Sequence, residues 1–290
     1  MSSRPLPRRP QPSPGRWGFG AALLILVATL GSASLAVIPD LLLGDDTLTR
    51  RIVGQLGSMI TQNAVFVALP VVIIALLLQA RPAPSAFGLR TPSRPWMTAG
   101  AVVVAFVGYL LISNLLGSLL DVGDRKDSQP ATLGATESVA AGIAIALGVT
   151  ILAPVGEEFL MRGVVYPGMR DGLSSRIGPW AAIAAAAVVN GLIFGALHGA
   201  TDLIFIPMLM TFGIVLCLLY QVTGSLYAPI ALHLTNNTVA IATALGWTVL
   251  EGLALWLSAA AVLSLAARVV GTVTRRSRAG ISEAGASPAA

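Results

Sequence analysis

The chain has 290 residues, of which 55% are hydrophobic and only 11% charged, with a net charge of +5. An ordinary soluble domain is about 45–50% apolar and about 25% charged, so this composition excludes a soluble globule. The single cysteine, Cys217, excludes a disulfide framework and a CxxC metal site and is expected only to pack. The arginines fall in short segments between apolar runs, where orientation in a bilayer accounts for them better than nucleic-acid binding does.

In chain order, residues 1–16 are rich in Pro, Ser and Arg without apolar periodicity and are expected to stay unfolded. Apolar runs follow near 17–38, 57–80, 96–120, 138–160, 180–200, 204–222, 225–246 and 249–270. Each is about as long as a helix crossing a hydrocarbon layer needs to be. The first run could read as a signal peptide, but seven further runs favour a retained helix. Residues 275–290 are small and polar and are expected to be a second unfolded tail. The expected fold is thus all-α, a polytopic membrane helix bundle with about eight transmembrane helices. Its divisions are N-terminal transmembrane helices over 17–134, a core carrying the chemistry over 135–246, and a last transmembrane helix over 247–274. Pro167, Gly168, Gly172, Pro179 and Pro207 blur the helix boundaries between 163 and 210.

Lys and Arg flanking membrane spans are retained on the cytoplasmic side. Eight spans place Arg4, Arg8, Arg9, Arg16, Arg81, Arg90, Arg94, Arg162, Arg170, Arg176, Arg268, Arg275, Arg276 and Arg278 at one end, and only Arg50, Arg51, Arg125 and Lys126 at the other. The expected protein is multi-pass, with both termini cytoplasmic and the lipid bilayer as its first partner.

A charged side chain at mid-helix in a membrane costs at least about 2.5–3.5 kcal/mol, so those kept there normally face a cavity. Glu157, Glu158 and Arg162 follow the uncharged run 138–156, and the only two histidines, His198 and His233, also lie in apolar surroundings. Residues four apart share a helix face, which pairs Glu158 with Arg162 and His233 with Asn237. Glu157 is turned about 100° from Glu158, so the two carboxylates cannot do the same job. Peptide hydrolysis needs a carboxylate base with polar groups around its water, or a metal held by imidazole and carboxylate. Glu157, His198, His233 and Asn237 suit either. Phe194 reads as cavity packing, and Asn190 as either a partner to the site or a helix contact.

Glu157-Glu158-Phe159-Leu160-Met161-Arg162 fits EExxxR, Phe194 to His198 fits FxxxH, and His233 to Asn237 fits HxxxN. In this order over about residues 135–245, the motifs resemble the CPBP family of intramembrane endopeptidases, which includes CAAX prenyl protease 2 and bacteriocin-processing proteins. The resemblance implies that Glu157 is the general base, with Glu158 and Arg162 as its structural pair. It further implies that His198 and His233 hold water or a divalent metal such as zinc, with Glu157, His198 and His233 as the ligand set. Asn237 would be the oxyanion donor in preference to Asn236. A metal-free glutamate mechanism stays open, since there is no HExxH helix. The implied partner is a membrane-associated peptide or protein, prenylated or bacteriocin-like, and not nucleic acid.

For Glu157 and His198 to meet, the fourth helix is expected to run past Arg162 and an interfacial stretch to reach about Trp180, with the fifth helix entering near Ala184 to Asn190. That places His198 about 12–20 Å deep and His233 about 12–14 Å, in a cavity open to the cytoplasm. Two other readings compete with a protease: a non-catalytic scaffold or bacteriocin immunity protein with the same residues, and a proton-coupled transporter. Against the transporter stands the absence of an internal repeat, because Glu, His and Asn all fall in the second half.

Overall fold

In the computed structural model every regular element is helical, with no strand among the described residues, which are 17–285 without 45, 46, 81, 124, 126, 127 and 199–202. The expected tail 1–16 and residues 286–290 lie outside these. Among the described residues seven helices are long and apolar enough to cross a membrane: Gly18–Leu43, Leu48–Leu78, Pro95–Leu119, Val139–Ile177, Pro179–His198, Leu203–Thr223 and Val249–Val269. Between the last two lies Tyr227–Leu245, whose histidine, two asparagines and three threonines lower its hydropathy. With it the bundle has the eight helices expected of an integral multi-pass protein.

Several boundaries differ from the sequence reading. The second span starts at Leu48 rather than near 57, because Thr47 Oγ1 accepts from Arg50 N at 3.3 Å and caps the helix, while Arg51 reaches Glu137 at 2.9 Å. At the other end, the last helix continues to Gly285 instead of dissolving at 275. Ala and Arg are good helix formers, and extending an existing helix avoids the cost of nucleation.

The fourth span is one helix over Val139–Ile177 that twice widens into π geometry, at Gly148–Leu152 and Phe159–Val165. A proline follows each widening: Pro154 stands four residues after Thr150, and Pro167 four after Gly163. A proline inside a helix lacks the N–H for the carbonyl four residues back and collides with it. Widening the turn relieves that collision without ending the helix. The interfacial stretch expected after Arg162 is therefore replaced by helix up to Ile177, followed by a turn at Gly178 with φ +81° and directly by the fifth span.

Widened turns in a membrane need partners for their backbone groups, because no water is available there. Side chains from four other parts of the chain supply them. Asn237 Nδ2 donates to Val149 O at 3.0 Å, Gly156 N donates to Asn63 Oδ1 at 2.9 Å, Asn190 Nδ2 donates to Met161 O at 3.1 Å, and Trp17 Nε1 donates to Val164 O at 3.0 Å.

The fifth and sixth spans cross backbone to backbone at Gly191 and Gly195, a small-xxx-small pair facing Met210 and Ile214. A Cβ at Gly191 would stand 2.7 Å from Met210 O and 2.6 Å from Ile214 Cγ1. The seventh span is set by the left-handed turn at Gly224, which the second connection holds: Leu226 N donates to Gly88 O at 2.9 Å and Ser225 Oγ to Arg90 O at 2.7 Å. Gly191→Val forces these helices apart and should lower stability by about 1–3 kcal/mol. Thermal unfolding in detergent should drop by several degrees; an unchanged midpoint would contradict the close crossing.

Candidate active site

Glu157 comes from the fourth span, His198 from the last turn of the fifth, and His233 from the second turn of the seventh. Glu157 Oε2 lies 3.3 Å from His198 Nε2 and 3.9 Å from His233 Nε2. Each ring is oriented through its other nitrogen. His198 Nδ1 meets Phe194 O at 2.9 Å, and His233 Nδ1 meets Glu158 Oε1 at 2.8 Å. Both partners are acceptors, so the hydrogen-bond pattern assigns the proton to Nδ1 in each ring and, in the neutral ring, leaves Nε2 with a lone pair. Glu157 Oε2, itself buried without a hydrogen-bond partner, faces those lone pairs. Three acceptors thus converge, and what completes the arrangement is a donor or a cation.

Beneath them lies a buried ionic layer. Arg162 Nη1 donates to Glu158 Oε1 at 2.7 Å, with both side chains at 0% exposure. Arg162 Nη2 donates to Gly213 O at 3.0 Å, and its guanidinium covers the Phe194 ring at 4.7 Å. Phe194 stacks on His198 with centroids 4.3 Å apart, and Phe194 and Phe212 both meet the His233 ring edge-on, at 5.6 and 5.4 Å. Both rings are therefore fixed in plane as well as in tautomer. Glu158 does more than the pairing with Arg162 expected of it, since the same oxygen also orients His233.

Asn237 and Asn190 both turn out to brace the fourth span. Asn237 also lines the cavity, while one of its N–H groups is given to Val149. Asn190 is a buried helix contact whose oxygen accepts from the Cys217 thiol at 3.2 Å. Asn63, Phe212, Gly213 and Trp17 were missed by sequence reasoning. The one signal available was Asn63 itself, a lone amide in the long second span.

A cavity of about 460 Å³ adjoins Glu157, His198 and His233, and a second of about 580 Å³ shares His198, Asn236 and Gln129 with it. The first reaches Pro130 and Leu133 and the second Asp121 and Gly123, in the connection between the third and fourth spans, with Ser118 at the end of the third span. Since the spans alternate in direction, this connection lies at the bundle end opposite the chain termini. The cavity expected to open on the side of the termini opens on the other. The reason is that Glu157 stands near the middle of Val139–Ile177 rather than at its end, and the fifth helix stays regular to its last residue, His198.

Residues 139–239, which contain every one of these motif residues, match the family model for the type II CAAX prenyl endopeptidase Rce1-like proteins. The chain is also 27% identical over 161 residues to an uncharacterized 24.3 kDa protein of Escherichia coli, covering 55% of this chain and 68% of that protein. No solved structure matches it. The likeness to the Rce1-like type II CAAX prenyl endopeptidase family lies in residues 139–239, which are 101 of the 290 residues.

Proposed function

We propose that the protein is an intramembrane endopeptidase in which Glu157 activates the water that attacks a peptide carbonyl. The observation that carries this reading is the convergence of Glu157 Oε2 with two imidazole lone pairs. A water between them gives one hydrogen bond to Glu157 Oε2 and the other to an imidazole Nε2, and turns a lone pair outward to the substrate. Glu157 takes its proton as the C–O bond forms and returns it to the nitrogen as the C–N bond breaks. The rings are held rigidly through Phe194, Glu158 and Phe212, so little reorganisation accompanies the attack. The remaining N–H of Asn237 is the oxyanion donor in this scheme.

Two imidazole nitrogens and a carboxylate oxygen are also the donor set of catalytic zinc. Glu157, His198 and His233 would hold such an ion, and the orphaned Glu157 oxygen suits it, although no three side chains among the described residues close to metal-site geometry as they stand. A bound ion would polarise the carbonyl and acidify the water.

Glu157→Gln keeps the shape and removes the base. Peptide cleavage by the purified protein should fall by about 10² to 10⁴ with unchanged folded yield, whereas full activity would end the proteolytic reading. The same assay after chelation separates the two chemistries: activity surviving complete metal removal assigns catalysis to the glutamate alone, and loss restored by zinc assigns the ligand set. The ionic layer has its own test. Arg162→Met strands the Glu158 charge and should cost about 3–5 kcal/mol, while adding Glu158→Leu should recover part of that stability. A single variant as stable as the parent in detergent would show that the pair is not buried.

A further inference from the structure

Glu157 meets the two histidines through Oε2, an oxygen buried without a hydrogen-bond partner. Its aim is therefore set by the backbone on either side of it. On the C-terminal side the next residue, Glu158, is locked by Arg162 at 2.7 Å and by His233 at 2.8 Å. On the N-terminal side stands Gly156, which has no side chain to be held. Its backbone is held from the second span, where Asn63 Oδ1 accepts from Gly156 N at 2.9 Å.

The contact is fixed on both partners. Asn63 Nδ2 donates to Met59 O at 2.9 Å, so one orientation of the amide satisfies both neighbours, with the nitrogen toward its own helix and the oxygen toward Gly156. The two backbones also cross as closely as a glycine allows. A Cβ on Gly156 would collide with Asn63 Oδ1 and stand 3.0 Å from Asn63 Cγ and 3.2 Å from Asn63 Cα. About two turns earlier on the fourth span the second span is seated again at Gly148, where a Cβ would meet Met59 Sδ at 2.7 Å and Leu56 Cδ2 at 3.2 Å. Gly148 opens the first widened turn. The second span thus grips the fourth where that turn begins and once more at the residue before Glu157.

We infer that Asn63 is a positioning residue for Glu157, holding the Gly156 N–H and with it the backbone from which the carboxylate is aimed at His198 and His233. Without this acceptor the Gly156 N–H is unpaired, which is costly in a membrane. The segment 148–156 then relaxes toward an acceptor in its own helix and turns Glu157 about the axis, while Glu158 stays held by Arg162 and His233. Asn63 also lines the cavity, so direct contact with a substrate is the competing role. The kinetic consequence rests on the proteolytic reading; the placement of the carboxylate does not.

Three variants of the full chain, scored per folded molecule in detergent, test this. Asn63→Leu roughly keeps the volume and removes the acceptor, Asn63→Ala removes it without bulk, and Gly156→Ala displaces it from the other side with a methyl group. In each, kcat for peptide cleavage should fall about 10²-fold, the loss attached to a misplacement of about 1 Å, with KM nearly unchanged. Because both positions act on one contact, Gly156→Ala combined with Asn63→Ala should cost little more than either alone. In ¹⁵N-histidine-labelled protein, Asn63→Leu should shift both Nε2 signals as the carboxylate moves, while the Nδ1 signal of His233, bonded to Glu158, stays in place. Parental kcat with unmoved Nε2 signals overturns the inference and leaves Asn63 a structural brace. A raised KM at parental kcat overturns it in favour of substrate contact. If the parent protein itself cleaves no peptide, the proteolytic reading falls, and the Nε2 signals alone decide the positioning.

Discussion

Arg162 is a full positive charge at 0% exposure in the middle of a membrane bundle, and four spans are arranged around its neutralisation. Glu158 balances the charge from the same helix, Gly213 of the sixth span gives it a carbonyl, and Phe194 of the fifth places a ring face under the guanidinium. His233 of the seventh span joins through the same carboxylate oxygen. A buried pair of this kind adds little net stability compared with apolar residues, but breaking it is expensive. Its effect is to admit few arrangements of the four helices, and in the one described here Glu157, one residue from Glu158, faces both imidazole Nε2 atoms.

The precision of that placement comes from the fourth span. Pro154 and Pro167 each widen the turn before them, and the backbone so disturbed is held by asparagines from the second, fifth and seventh spans and by Trp17. Prolines that would be faults in an isolated helix thereby become the points at which neighbouring helices grip it. The close crossing at Gly191 and Gly195 belongs to the same scheme, since it brings the sixth span near enough for Gly213 O to reach Arg162. The bracing and the ionic layer are one connected set: Asn190 holds Met161, the residue beside Arg162, and is itself fixed by Cys217.

Much of this could be read from the residues. Composition and run lengths were enough for a helical bundle of about eight spans, and the rarity of ionisable groups in apolar surroundings singled out Glu157, Glu158, Arg162, His198 and His233. What could not be read was how helices bend and how deep they start. Hydropathy has no term for a proline absorbed by a widened turn, so the fourth span was cut short and the cavity assigned to the wrong end. Nor does spacing reveal which atom an asparagine bonds: Asn237 falls in step with His233, yet one of its N–H groups goes to Val149. Asn63 and Phe212 carried no motif at all, and only the packing of distant spans brings them to the site.

The central claim is that Glu157 faces two imidazoles, each fixed with its proton on Nδ1 and its Nε2 lone pair turned to the carboxylate. The chain has two histidines, so protein labelled with ¹⁵N-histidine gives four ring-nitrogen resonances. At neutral pH both rings should show a protonated Nδ1 and an unprotonated Nε2, and Glu157→Gln should shift both Nε2 signals while leaving the Nδ1 signals nearly unchanged. Rings protonated on Nε2, or Nε2 signals indifferent to the change at Glu157, would contradict the account.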